Sequence, residues 1–329
     1  MTTSPLLELP GAVPPPDGSI DQGVAWHHGD PLREQRTAER DVVVVDRSHR
    51  AVIAVPGEDR LTWLHTITSQ HLLALADDAH TEALVLDLQG RVEHHAMVSH
   101  VDATVWLDTE PERLAGLLGY LQQMVFWSKV EPRDATSELA VLSLLGPSTA
   151  KLLADSGDVW DVAGLGGFVR AGENSADLLV PRTALTEAWQ RLVDAGAGPA
   201  GTWAYEALRA AALRPRLGVD TDERTIPHEV GWIGPAVHLD KGCYRGQETV
   251  ARVQNLGRPP RRLVLLHLSG ESDVLPAPGT PIELAGRPVG FLGTAVHHYE
   301  LGPIALAVIK RSLPDDAALR VADAPVSIA

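Results

Sequence analysis

Cysteine is nearly missing: the 329 residues contain one, Cys243. A single thiol closes no intramolecular disulfide, so nothing in the chain calls for an oxidising compartment. It also falls short of the roughly four thiolates of an all-cysteine cluster site, so the chain alone supplies none. Aromatic residues are scarce, 5% of the total, although eight are tryptophan. Positive charge is outweighed, 28 basic residues against 43 acidic, for a formal charge of −15. Such a chain repels phosphate backbones, which disfavours nucleic-acid binding. The basic clusters at Arg214–Arg216 and Arg258–Arg262 read as local sites or solvated surface. No apolar run approaches the ~18 residues that span a membrane. The Pro-rich start, Met1 to Pro16, lacks the basic and apolar segments of a signal peptide. A soluble cytoplasmic protein without a membrane partner is expected.

Several motifs are also absent. There is no Walker loop, no G-x-S-x-G elbow and no H-E-x-x-H, and Gly164-Leu165-Gly166-Gly167 is too short for a dinucleotide loop. Asp220-Thr221-Asp222-Glu223 lacks the glycine and distal glutamate of a calcium loop. The pairs His27-His28, His94-His95 and His297-His298 would point to opposite faces of a strand. No metal site is expected.

What is present suffices for a folded core: 44% hydrophobic and 22% charged residues. The length suggests roughly two to three domains. Residues 1–40 read as an irregular leader. Val42–Val45 and Ala51–Val55 read as strands, and Pro56-Gly57-Glu58-Asp59 opens a helix carrying Leu61, Leu64 and Ile67. Ala83–Leu88 and Ala96–His100 flank a turn at Gln89-Gly90. Thr109 and Glu112 have capping-box spacing before a helix with Leu114, Leu117, Leu118, Leu121 and Val125 on one face. Leu139–Leu145 and Leu178–Val180 read as strands. Helices are expected near Thr149–Leu153, around Leu185, Trp189 and Leu192, and over Trp203–Leu213. After Pro259-Pro260 the strand-like runs Arg262–Leu268, Pro281–Leu284, Pro288–Val296 and Ile304–Ile309 suggest a small β-barrel or sandwich. The irregular alternation favours α+β for residues 41–257 and an all-β domain for 258–329.

The densest chemistry lies in Lys241-Gly242-Cys243-Tyr244-Arg245-Gly246-Gln247-Glu248. A thiol acts as its thiolate, and the flanking cations Lys241 and Arg245 would lower its pKa. Gly242 and Gly246 permit unusual backbone angles and close approach of another molecule. Gln247 and Glu248 offer an amide and a carboxylate to a polar ligand. The competing reading makes Cys243 a small buried hydrophobe in a glycine-rich turn. No histidine or aspartate partner can be assigned to it from spacing.

This octapeptide resembles the signature of the YgfZ family, Lys-Gly-Cys-(Phe or Tyr)-x-Gly-Gln-Glu. Its continuation Thr249-Val250-Ala251-Arg252 and the later Arg261-Arg262-Leu263 are also similar to that family. Further likenesses follow in order. They are Asp46-Arg47-Ser48, Val55–Asp59, the hairpin Leu86-Asp87-Leu88-Gln89-Gly90-Arg91-Val92, Val125–Val130, and Ile226-Pro227-His228-Glu229. The resemblance covers about residues 41–329. It implies an arrangement like the glycine-cleavage T-protein, three lobes around a central channel that takes a tetrahydrofolate. It also implies a folate-dependent role in iron–sulfur cluster assembly or repair, with effects on tRNA methylthiolases. Iron–sulfur client or assembly proteins would then be partners, and Cys243 the working residue.

On that resemblance Gly90, Arg91 and Lys129 fall in the folate-binding region. Trp203 and Tyr205 could stack on the pterin, and Arg209 could meet the glutamyl tail. Two departures bear on activity. The transferase carries an aspartate pair where this chain has His94 and His95, and an imidazole cannot stabilise a cationic iminium as a carboxylate does. The transferase's pterin-holding glutamate falls within Arg209-Ala210-Ala211-Ala212-Leu213, which has alanine instead. The leading expectation is a folate-binding accessory protein for iron–sulfur maturation rather than a turnover enzyme. The alternatives are a tetrahydrofolate-dependent one-carbon transferase or demethylase, and an adaptor with a vestigial folate site.

Overall fold

The computed structural model describes residues 3–155, 166–270 and 274–329; Gly164 and Leu165 of the glycine run lie outside them. The chain divides into two units. The first comprises Met1–Arg60, Leu75–His80 and Met97–Tyr205, the second Leu61–Ala74, Thr81–Ala96 and Glu206–Ala329. No helix among the described residues is long and apolar enough to cross a membrane.

The first unit is built on β-branched and leucine-rich runs. Strand β1 (Val43–Asp46) is buried on both faces and is an interior strand of a five-stranded sheet ordered β10-β1-β7-β9-β8. The other strands are β7 (Leu139–Leu145), β8 (Phe168–Ala171), β9 (Ser175–Pro181) and β10 (Gly198–Ala200). β1 runs parallel to β10, with Val43 opposite Gly198, and antiparallel to β7. Helix α5 (Leu185–Asp194) packs Leu185, Trp189 and Leu192 into the same core as Val44, Leu142 and Leu178. A second sheet, β3-β4-β5-β2-β6, uses β2 (Ala51–Pro56), β3 (Ala79–Leu86), β4 (Val92–Val101), β5 (Thr104–Thr109) and β6 (Arg133–Asp134).

The leader is not irregular through residue 40. Leu6 is fully buried in the first unit's core, and α1 (Pro31–Arg40) has Asp30 as N-cap, its carboxylate accepting from Leu32 and Arg33. Proline at the first helical position and a capping aspartate were both legible signals. The capping box at Thr109 does not form. Thr109 ends β5, Glu110 precedes a 3-10 turn without side-chain capping, and α3 (Leu114–Gln123) buries only Leu117 and Leu121 of the expected stripe.

Asp108 on β5 organises a buried ionic cluster in this unit. Arg50 donates to Asp108 at 2.6 Å and to Glu110 at 2.6 Å. Arg170 pairs with both Asp108 and Asp177. Burial alone would raise the Asp108 carboxyl, but Arg170 and Arg50 hold it down to about 2. A charge withdrawn from water is tolerated only when paired and hydrogen-bonded; each charge here is paired, although the Arg170 Nε is buried without a hydrogen-bond partner among the described residues.

In the second unit the C-terminal strands close a barrel of order β11-β14-β13-β12-β15-β16. These are β11 (Arg261–Leu268), β12 (Pro281–Leu284), β13 (Arg287–His298), β14 (Gly302–Lys310), β15 (Leu319–Val321) and β16 (Ala324–Ile328). Closure leaves no free sheet edge. The last two strands, of three and five residues, were not foreseen, because such short runs carry little alternation. The pairing of β13 with β14 shifts between Leu292 and Ala295.

Replacing Asp108 by Asn should leave two buried guanidiniums short of an anion and cost about 3–5 kcal/mol in denaturant unfolding. Because the folded carboxyl lies below its ordinary value, its contribution is present above about pH 4 and is lost as pH falls toward 2. The wild type should lose stability across that window, and Asp108→Asn should show a smaller loss.

Candidate functional site

The motif loop and the hairpin between β3 and β4 meet within the second unit. Asp87 closes the hairpin turn, its Oδ1 accepting from the Gln89 and Arg91 backbone N–H groups at 2.8 Å each. At the tip, Gly90 (φ +77°) faces Gly246 (φ +82°), the residue that precedes helix α7 (Gln247–Leu256). A Cβ on Gly246 would stand 2.5 Å from the Asp87 carbonyl oxygen and 2.9 Å from the Gly90 Cα. A Cβ on Gly90 would meet the Thr249 side chain at 2.8 Å. Both glycines are therefore required by conformation and by space.

Lys241 is buried, 4% exposed. Its ammonium donates to the carbonyls of His65, in the last turn of α2 (Arg60–Ile67), and of Thr68 (2.5 Å) and Gln70 (3.1 Å) just past it. It therefore satisfies carbonyls that a helix end leaves without intrahelical partners. Burial draws its pKa down to about 8. Arg245 forks onto the Glu93 carboxylate at 2.8 and 3.4 Å. The two cations that flank Cys243 in sequence are thus turned to a carbonyl cluster and to a carboxylate. Gln247 Nε2 returns to the Lys241 carbonyl at 3.3 Å and ties the loop to itself.

Cys243 is exposed, which departs from the buried-hydrophobe alternative. Gly242, Glu248 and Arg252 are exposed as well. Tyr244 faces inward, packed with Leu84, Leu86, Val92 and Trp232. Its hydroxyl is buried without a hydrogen-bond partner among the described residues, and burial pushes its pKa up to about 12.

Next to Lys241 lie three imidazoles with no sequence signal to link them. His65 and His71 are 4.8 Å apart edge to face, and His71 and His238 are 5.3 Å apart. Burial, then the Lys241 charge, lowers the His65 pKa. On β4, His95 meets Glu82 at 2.9 Å and stacks on Trp232 at 5.0 Å. The imidazole at this hairpin position is thus held by a carboxylate and an indole.

The residues expected to hold a folate are divided between the two units. In the first, Trp203 stacks on Trp26 at 4.4 Å, Tyr205 lies 4.0 Å under the Arg47 guanidinium, and exposed Lys129 pairs with Glu58. In the second are Gly90, the exposed Arg91, and Arg209. Arg209 is 7% exposed. Its guanidinium is committed to Glu206, Asp220, the Arg214 carbonyl and Thr294. Asp220 Oδ1 also accepts the Thr294 N–H at 2.7 Å, where the β13 register shifts. Arg209 therefore fastens α6 (Thr202–Ala211) to the barrel. Glu93, Glu82 and Asp220 do much of the positioning, and sequence reasoning missed them because their partners are distant in the chain.

A mixed helix-and-sheet chain ending in a closed barrel, with a glycine-docked cysteine loop, defines a class that comparison with known proteins makes specific. Residues 24–164 match the GCVT N-terminal domain, and residues 261–329 match the CAF17 C-terminal β-barrel domain. An aminomethyltransferase of Rubrobacter xylanophilus is 31% identical over 284 residues, 80% of this chain and 75% of its own. One of Herpetosiphon aurantiacus is 25% identical over 300 residues, 85% of this chain and 81% of its own. A protein of Arabidopsis thaliana named as a putative chloroplastic transferase is 28% identical over 273 residues; the match takes in 77% of this chain and 62% of that protein's length. The glycine cleavage system aminomethyltransferase T of Bartonella henselae superposes with a TM-score of 0.83 over 98% of this chain and 94% of its own, at 17% identity. The chain belongs to the YgfZ/CAF17 family, with aminomethyltransferase-like homologues and the T-protein fold.

Gly246→Ala should force an L-residue into a left-handed conformation against a backbone carbonyl. It should cost roughly 1–3 kcal/mol and raise amide hydrogen exchange across residues 87–92 and 244–250.

Proposed function

We propose that this chain is a folate-binding accessory protein that supports iron–sulfur cluster assembly or repair in the cytoplasm, with Cys243 as its working thiol. Cluster-dependent enzymes such as tRNA methylthiolases would be the beneficiaries. The observation that carries the proposal is the exposure of the chain's one thiol on a loop pinned at both ends. Lys241 is locked into three carbonyls on one side, and Gly246 is docked on Gly90 on the other. A thiol held this way can be presented to another protein without the loop having to order first.

Tetrahydrofolate would supply a one-carbon carrier when bound. Within the second unit, the buried Tyr244 hydroxyl fits a polar group of that ligand. Arg91 is the exposed cation available to a carboxylate, whereas Arg209 has its donors committed and does not fit that task. Lys241 and Gln247 would hold the motif in shape, and Gly90 would set the hairpin against it.

The second reading, a folate-dependent one-carbon transferase, draws support from the named activity of the Rubrobacter and Herpetosiphon relatives. Against it stands the hairpin imidazole His95, held by Glu82 and Trp232 where that chemistry uses a carboxylate. Accessory and transferase readings part on turnover.

Calorimetric titration with tetrahydrofolate should show saturable binding by the wild type and by Cys243→Ser alike. In cells lacking the protein, Cys243→Ser should fail to restore the activity of a cluster-dependent enzyme. Full restoration would remove the thiol from the function, and no folate binding by either form would retire both folate readings. Formation of methylene-tetrahydrofolate from an aminomethyl or N-methyl donor would favour the transferase.

A further inference from the structure

The first unit carries a cleft built from residues that neither the motif nor the hairpin supplies. Its volume is about 720 Å³, within the usual range for small-molecule sites. Helices α1 and α5 contribute its walls, and Leu9, Trp189 and Val193 give it an apolar lining. The His28 imidazole lies across Trp189, ring centroids 5.3 Å apart and planes 29° from parallel. Its Nε2 is buried and has no hydrogen-bond partner among the described residues. Burial holds the imidazole down to about 4, so near neutral pH it is an uncharged group with one hydrogen-bonding atom unused.

The polar groups of the cleft sort by what they already do. Glu34 is occupied: its two oxygens accept from the His28 and Gly201 backbone N–H groups at 2.6 and 3.0 Å. Asp30 caps α1 through Oδ1, and the backbone N–H of Arg33 helps hold its carboxyl below the usual range, so it stays charged. Arg33 is exposed and forms no ion pair among the described residues. The cleft thus presents an exposed anion and an exposed cation that attract each other without closing into a salt bridge among the described residues, above an apolar lining with one unused imidazole nitrogen.

This arrangement selects by charge. A simple carboxylate would gain Arg33 but face Asp30, and a simple amine would meet the reverse conflict. A zwitterion satisfies both, since a guanidinium binds a carboxylate by paired hydrogen bonds and a carboxylate binds an ammonium. The apolar lining adds a preference for a large hydrocarbon or aromatic side chain. We infer that the cleft binds a free α-amino acid with a large apolar side chain, its carboxylate on Arg33, its ammonium toward Asp30 and its side chain along Leu9 and Val193. This site is independent of the folate reading.

The test is calorimetric titration of the full chain with L-phenylalanine, 3-phenylpropionate and 2-phenylethylamine. L-phenylalanine should bind saturably, and each single-charge analogue should bind about tenfold more weakly or worse. Arg33→Gln should lose about as much affinity for L-phenylalanine, and so should Asp30→Asn, which keeps the helix cap. Unchanged thermal melting would show that both variants still fold. The inference fails if L-phenylalanine does not saturate, if either analogue binds as well, or if both variants bind it like the wild type.

Discussion

The motif loop depends on one buried charge. Lys241 gives up water for three backbone carbonyls in and after the last turn of α2, and a cation is preferred over a neutral donor there because it offers three hydrogens from a single point. The carbonyls it collects would otherwise be left without partners at a helix end. Everything C-terminal in the loop is set from that anchor. Gln247 folds back on the Lys241 carbonyl, Tyr244 turns into the core, and Gly246 reaches Gly90. The motif lysine is thereby a positioning residue, and its contribution to the thiol is geometric before it is electrostatic.

Much of the fold was legible because local rules and the tertiary answer agree. The Val42–Val45 run supplies most of β1 (Val43–Asp46), Leu139–Leu145 and the runs after Pro260 are strands, and Leu185, Trp189 and Leu192 face one core. The misses have definite causes. The Thr109 box failed because β5 continues to Thr109, where pairing with Ala51 on β2 outweighs a local cap. The leader was underrated because Leu6 is a single buried anchor without periodicity around it. The short strands β15 and β16 become strands by pairing around the barrel, which no window of sequence reports.

The candidate site was legible as a motif and opaque as a geometry. The octapeptide pointed to Cys243 and its neighbours, but spacing alone put Lys241 and Arg245 beside the thiol as helpers. Their real partners, the 65–70 carbonyls and Glu93, sit far away in the chain. Arg209 shows the same limit. Its place in α6 made it a candidate for an anionic ligand, whereas its guanidinium bridges Glu206, Asp220 and Thr294. Long-range polar pairing is decided by the fold and leaves no periodic trace.

The isolation of Cys243 also fixes which disulfides this protein can form. With one thiol, and that one exposed, thiol–disulfide exchange has no internal resolving partner. Its disulfide products are limited to a single bridge. That bridge joins two copies through the same residue, or joins one copy to one small thiol or one partner. Chains of linked molecules cannot form, and any mixed disulfide trapped on this protein reports the neighbour of residue 243 alone.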